Sequence, residues 1–224
     1  MNELILTLEN LIVGYYHTPL AQAISASVRT GARVGVMGPN GAGKSTFVKT
    51  LLGILKPVQG SFHWLRSVRL GYVPQERNFD PIFPLTVQDY LQMGSLKRLK
   101  VLCEKEVEAI LQQFDLLPLR HQLIRALSGG QRQRALIARA MVSQPSVLLL
   151  DEAWNSLDAN SKSYLEQTLF QSNEVLTYFL VEHDLSRLKR LGVEQIFLFS
   201  QAGVWIGSLE ELLANPKLVE LSGD

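Results

Sequence analysis

Three observations predict an α/β chain built on a parallel sheet, with a strand-rich start and a helical insert. Short, continuously apolar runs such as Val147-Leu148-Leu149-Leu150 have the character of strands buried on both faces. Helical patterns alternate with such runs through the second half of the chain. Between them stands Gly38-Pro39-Asn40-Gly41-Ala42-Gly43-Lys44-Ser45, which fits the phosphate-cradling pattern G-x-x-x-x-G-K-[ST].

The elements follow in order. Leu4–Leu8 and Ile24–Val28 alternate as strands do, and Ser61–Trp64 and Arg69–Val73 continue the pattern. Arg33–Met37 is a short apolar strand, and Ser45–Leu55 sets Phe47, Val48, Leu51, Leu52 and Leu55 at helical spacing. Thr86–Met93 and Glu104–Leu116 read as helices, the second with Ile110, Leu111 and Phe114 on one face; Pro81, Pro84 and Pro118 mark loops around them. Gln131–Val142 is an amphipathic helix. Val175–Val181 and Gln195–Phe199 are buried strands separated by the helix Leu185–Leu191. No internal repeat or low-complexity segment interrupts the series.

Composition bounds the function. A chain of 224 residues that is 46% hydrophobic can bury a full core. Lys+Arg 22 against Asp+Glu 21 leaves a net charge of +1, which gives nucleic-acid binding no electrostatic support. Lys97-Arg98-Leu99-Lys100 and Arg187-Leu188-Lys189-Arg190 read as solvated helix faces, with lipid headgroups as possible neighbours. Cys103 is the single cysteine, so no disulfide forms within the chain, which suits a reducing compartment. Met1-Asn2-Glu3-Leu4 lacks the basic start of a signal peptide. No apolar stretch approaches the roughly 20 residues that cross a bilayer. The expectation is a cytosolic chain.

The glycine-rich turn leaves backbone N–H groups at a helix start, where an anion is favoured. Gly41 and Gly43 permit the tight turn, Lys44 brings a positive charge to β- and γ-phosphates, and Ser45 offers a hydroxyl to Mg²⁺. Thr46 adds a further hydroxyl. Asp151 and Glu152 follow a buried strand at its carboxyl end, where α/β sheets place their ligands. Asp151 suits Mg²⁺ and Glu152 suits the water that attacks phosphorus. His183, one strand further on, can reach the γ-phosphate or orient that water. Leu127-Ser128-Gly129-Gly130-Gln131 is a turn opening a helix, with no evident structural need for adjacent glycines.

With these residues in this order, the chain resembles the ATP-binding subunits of ABC transporters over nearly its whole length. Gly38–Ser45 matches the Walker A loop, Tyr72-Val73-Pro74-Gln75 the Q-loop, Leu127–Gln131 the signature, and Val147–Asp151 with Glu152 the Walker B run. Ser156-Leu157-Asp158 matches the D-loop and His183 the H-loop. The resemblance implies a P-loop NTPase core with a parallel sheet, an N-terminal antiparallel β-subdomain and an inserted helical subdomain near 84–142, in one unit over 1–224. It also implies an adenine-stacking aromatic, for which Tyr15 fits best and Tyr16 second.

The mechanism implied is an ATPase working as a head-to-tail pair of identical copies. Each ATP would lie between one copy's Gly38–Thr46 loop and the other copy's Ser128, Gly129, Gly130 and Gln131. Asp158 would report closure to the opposite site. Gln75 would join Ser45 and Asp151 at Mg²⁺ and link that geometry to the helical insert, where a separate transmembrane permease docks. The chain would then sit at the cytoplasmic face of the membrane, with an extracytoplasmic substrate-binding protein on the far side.

One departure stands out. The family usually has Pro after its catalytic Glu, whereas Ala153 and Trp154 follow Glu152. That restores an N–H and frees φ, so a looser turn is expected, with turnover retained but open to alteration. Trp154 is expected to pack against the D-loop or the partner copy. For cargo, Val73-Pro74-Gln75, Asp80, Phe83-Pro84-Leu85-Thr86-Val87, Asp89 and Gly94 resemble the zinc and manganese importer branch. His17, His63, His121 and His183 show no ligand spacing, so the metal would pass through the permease. The alternatives are another cargo, an exporter, or an ATP-dependent clamp outside transport.

Overall fold

The computed structural model describes residues 3–16, 18–75, 84–98, 102–154, 157–170 and 175–222. The expected loop at Pro81, the importer-like Asp80 and Phe83, and Ser156 of the D-loop lie outside these residues, as do the side chains of Lys97 and Arg98 and all of Leu99 and Lys100.

The chain opens with strands β1 (Leu4–Ile12), β2 (Gly14–Tyr15), β3 (Thr18–Pro19), β4 (Ile24–Arg29) and β5 (Arg33–Met37), then helix α1 (Lys44–Leu51) and β6 (Gln59–Trp64). Next come β7 (Leu70–Val73), α2 (Val87–Gln92), α3 (Glu104–Gln113), α4 (Gly129–Met141), β8 (Val147–Asp151) and α5 (Ala159–Phe170). It closes with β9 (Thr177–Val181), α6 (Leu185–Arg190), β10 (Gln195–Ser200), β11 (Gly203–Ser208), α7 (Leu209–Leu213) and α8 (Pro216–Ser222). Every strand and helix expected from the sequence is present. The helix expected over Ser45–Leu55 stops early, because Gly53 takes φ 72°, a left-handed conformation that ends an α-helix. Pro118 lies in a short 3₁₀ turn, Leu117–Leu119.

Two compact bodies divide the chain. The first holds residues 1–68, 149–151 and 175–224; the second holds 69–148 and 152–174.

In the first body, β1 pairs antiparallel with both β4 and β6, forming the N-terminal antiparallel subdomain. A second sheet runs β11-β10-β5-β9, with the 149–151 end of β8 next in order. β5 is parallel to β10 and to β9, and β11 closes the edge antiparallel to β10. Phe47 of α1 packs on Phe197 and Phe199 of β10, ring centroids 5.5 and 5.4 Å away. Trp64 meets Phe179 edge-on at 6.4 Å and donates its indole N–H to the Leu51 carbonyl (3.2 Å).

In the second body, the backbone N–H of Val147 donates to the Arg69 carbonyl beside β7 (3.2 Å). α4 is its organising helix. Arg139 covers the Tyr90 ring of α2 at 4.6 Å, and Arg134 pairs with Asp115 at 2.5 Å. Tyr164 of α5 donates its hydroxyl to the Gln113 carbonyl of α3 (2.9 Å).

The basic run at Arg187–Arg190 requires correction. Lys189 and Arg190 are exposed, but Arg187 is buried and ion-paired with Glu182. A face expected to be wholly solvated therefore turns one of its charges inward.

Candidate nucleotide site

β5 carries the chain to Gly38, whose φ of 127° few side chains tolerate. A Cβ there would stand 2.0 Å from the Phe199 carbonyl oxygen of β10, so only glycine fits. Gly43 (φ 101°) is the N-cap of α1. Gly41 is also left-handed, and nothing lies within 4 Å of where its Cβ would be. Pro39, Asn40 and Gly41 are exposed, whereas Gly43, Lys44 and Thr46 are buried and Ala42 and Ser45 half-buried. The Lys44 ammonium folds back over the loop, donating to the carbonyls of Gly38 (2.5 Å) and Pro39 (2.9 Å).

Parallel register brings further groups to the same end of this sheet. Val36 is level with Val181, and Met37 with Leu198, so Gly38 and His183 both emerge beyond the carboxyl ends of their strands. Asp151 ends β8 and is buried, 2% exposed. The Ser45 hydroxyl lies 3.4 Å from Asp151 Oδ1. A hydroxyl and a carboxylate converging beside a phosphate-type loop are the hard oxygen donors that Mg²⁺ accepts, so these residues fit that ion.

The second body carries the remaining candidates. Glu152 adopts φ 52°, a left-handed conformation unusual for a side-chain-bearing residue. Its carboxylate accepts a hydrogen bond from the Gln75 carboxamide. Trp154 is 1% exposed and packs on Phe170 of α5, ring centroids 6.4 Å apart. The turn expected to loosen without Pro is thus anchored by a buried indole.

Ser128 caps α4. Its hydroxyl accepts from the Gln131 N–H (3.3 Å), while Gln131 Oε1 accepts from the Ser128 N–H (2.9 Å). This reciprocal capping box leaves the Ser128 hydroxyl proton available to an acceptor. Asp158 performs the same service for α5, accepting from the Ser161 N–H (3.0 Å) and the Ser161 hydroxyl (2.7 Å). These bonds, the hydroxyl's foremost, hold the Asp158 carboxyl below the ordinary aspartate range. A Cβ on Gly130 would come within 3.2 Å of that same Ser161 hydroxyl oxygen. One of the adjacent glycines therefore has a packing reason that the sequence did not disclose.

Tyr15 ends the β2 strand and is 42% exposed; Tyr16, left-handed at φ 56°, is 97% exposed. Thr86 and Asp89, part of the importer-like pattern, form a capping box on α2. A Cβ on Gly94 would strike the Arg139 carbonyl at 2.3 Å. These residues thus have local structural work whatever the cargo.

The family model for ABC transporters matches residues 21–155. The chain belongs to that family. Across 201 residues it is 34% identical to the high-affinity zinc uptake system ATP-binding protein ZnuC of Bacillus subtilis, covering 83% of this chain and 87% of that one. It is 32% identical over 222 residues to the zinc import ATP-binding protein ZnuC of Mannheimia succiniciproducens, covering 98% and 82%. Among solved structures, cbiO1 of Clostridium perfringens, part of the ABC transporter complex cbiONQ, superposes with a TM-score of 0.77 at 26% identity over 97% of this chain and 94% of that one. An ATP-bound bacterial Atm1-family ABC exporter gives 0.82 at 26% identity over 96% and 41%. The chain is an ABC ATPase: it binds and hydrolyses ATP. Among the described residues no helix is long and apolar enough to cross a membrane.

Proposed function

We propose that this ABC ATPase powers the import of a divalent metal ion, zinc or manganese, through a separate transmembrane permease. The observation that carries this is similarity to zinc import ATP-binding proteins along almost the entire chain.

In this reading, Lys44 transfers its donors from the Gly38 and Pro39 carbonyls to β- and γ-phosphate oxygens, joined by the backbone N–H groups of Asn40 to Thr46. Tyr15 stacks on adenine. Ser45 and Asp151 hold Mg²⁺, which when bound offsets charge on the phosphate oxygens. Glu152 accepts the proton of the attacking water, Gln75 orients that carboxylate, and His183 contacts the γ-phosphate. Two copies meet head to tail, and Ser128, Gly129 and Gly130 of the second donate to that phosphate, with Gln131 holding Ser128 in place. Asp158 stands at the same junction. Phosphate release removes the charge both copies share, and the pair opens. The work takes place on the cytoplasmic face of the membrane, with a substrate-binding protein delivering metal outside.

Uptake of labelled Zn²⁺, Mn²⁺ and Fe²⁺ by cells lacking the chain tests this reading. Restoration of one metal's uptake by the native chain, and not by Glu152→Gln, is the expected result. Unchanged flux of every metal would remove the cargo assignment and leave the ATPase in place.

A further inference from the structure

We infer that Glu182 and Arg187 are positioning residues for His183, a buried ion pair that fixes the turn presenting the imidazole. The inference rests on the phosphate-contacting role proposed above for His183.

The pair is deep. Glu182 is 3% and Arg187 8% exposed, and Arg187 Nη1 donates to Glu182 Oε1 at 2.6 Å. The other carboxylate oxygen accepts from the backbone N–H of His183 (3.1 Å) and, at longer range, of Asp184 (3.5 Å). Asp184 Oδ1 accepts the Arg187 backbone N–H (3.0 Å), and its Oδ2 lies 3.9 Å from Arg187 Nη2. Of the residues on either side of His183, the first is hydrogen-bonded to the guanidinium and the second lies within ion-pair range of it. Glu182 is tied in addition to the strand that feeds the phosphate loop, its N–H donating to the Val36 carbonyl (3.3 Å).

Stability alone does not account for this arrangement. A buried ion pair is seldom more stabilising than apolar side chains of the same size, because desolvating two charges cancels most of their attraction. What the pair supplies is direction. The planar guanidinium orients the Glu182 carboxylate, and that carboxylate, accepting the His183 backbone N–H, fixes the peptide that carries the imidazole. His183 itself is half-buried at the end of this clasp. Misplacing a phosphate-contacting group by about 1 Å costs up to a hundredfold in rate, so a clasp of this kind acts on turnover more than on ATP affinity.

The test is steady-state ATP hydrolysis by the purified full-length chain in four forms: native, His183→Ala, the double variant Glu182→Leu/Arg187→Leu, and the triple combination. The double variant leaves no lone buried charge, and Arg187→Lys serves as a milder second variant that cannot span both carboxylates. The expected result for the double variant is a kcat lower by about tenfold, a KM for ATP within about twofold of native, and no further loss once His183→Ala is present, because contributions exerted through one residue are not additive. Arg187→Lys falls between native and double variant, and the ring resonance of labelled His183 moves or broadens in both. Native kcat in the double variant, or a loss that adds in full to that of His183→Ala, overturns the inference while leaving the role of His183 intact. Native turnover in His183→Ala overturns that role, and the inference with it.

Discussion

The Gln75 carboxamide donates a hydrogen bond to the Glu152 carboxylate, so the Q-loop residue and the carboxylate that follows Asp151 act as one unit. Hydrogen bonds to charged groups contribute about 1.5–3 kcal/mol, and about 1.4 kcal/mol is tenfold in rate. Gln75→Ala is therefore expected to lower kcat for ATP hydrolysis by about tenfold with little change in ATP affinity. Parallel measurement of turnover and equilibrium nucleotide binding checks it; a fall in affinity without a fall in kcat would contradict it.

Glu152→Gln keeps the size of the side chain but removes its capacity to take a proton. General-base contributions are typically about 10²–10⁴-fold, and turnover is expected to drop by that order while ATP still binds. Size-exclusion chromatography with Mg-ATP should then show a trapped dimer. A monomer that turns ATP over at the native rate would exclude Glu152 as the base.

Gly38→Ala should abolish nucleotide binding through geometry alone. The added methyl would meet the Phe199 carbonyl at 2.0 Å, so the loop or β10 must move. Loss of labelled ATP binding, with a lower unfolding midpoint, is the expected outcome. Gly41→Ala faces no such neighbour and should fail more mildly, from backbone strain only.

Trp154→Ala removes a ring that is 1% exposed and packs at a tilt against Phe170. Truncating a buried aromatic costs about 3–5 kcal/mol, and chemical denaturation should report a loss of that order. Trp154→Phe, which preserves aromatic packing, should recover most of it.

Asp158 offers a pH test. Its carboxyl titrates below the ordinary aspartate value because Ser161 donates to it, first through the hydroxyl and then through the backbone. A depressed folded-state pKa stabilises the fold above the unfolded value and loses that contribution as pH falls through the folded one. At an exposed site the effect on stability is slight, so the titration midpoint is the better readout. Ser161→Ala should raise the Asp158 midpoint, followed by the carboxyl resonance in NMR.

What the sequence disclosed was local. The strand before Gly38, the loop itself and the apolar run into Asp151 are each written in consecutive residues, and each folds as expected. Remote contacts were not legible. The need for glycine at 38 comes from a carbonyl on β10, and the tight fit at 130 from a hydroxyl on α5. α5 writes no apolar stripe in the sequence, because only Leu165 and Leu169 among its residues are buried. β11 is an edge strand whose residues after Gly203 are only partly covered, so it lacks the continuous apolar run that marks its neighbours. Arg187 sat within a run of cations, and nothing in that run says which charge turns inward.

The Glu182–Arg187 pair also constrains descent. Losing one partner strands a charge in the interior at a cost of about 3–5 kcal/mol, a large share of the stability of an ordinary domain. Neither position can drift alone, so a lineage leaves the paired state only by changing both. Among kindred chains, Glu at 182 should therefore keep company with Arg at 187, a pairing that history can acquire more easily than it can discard.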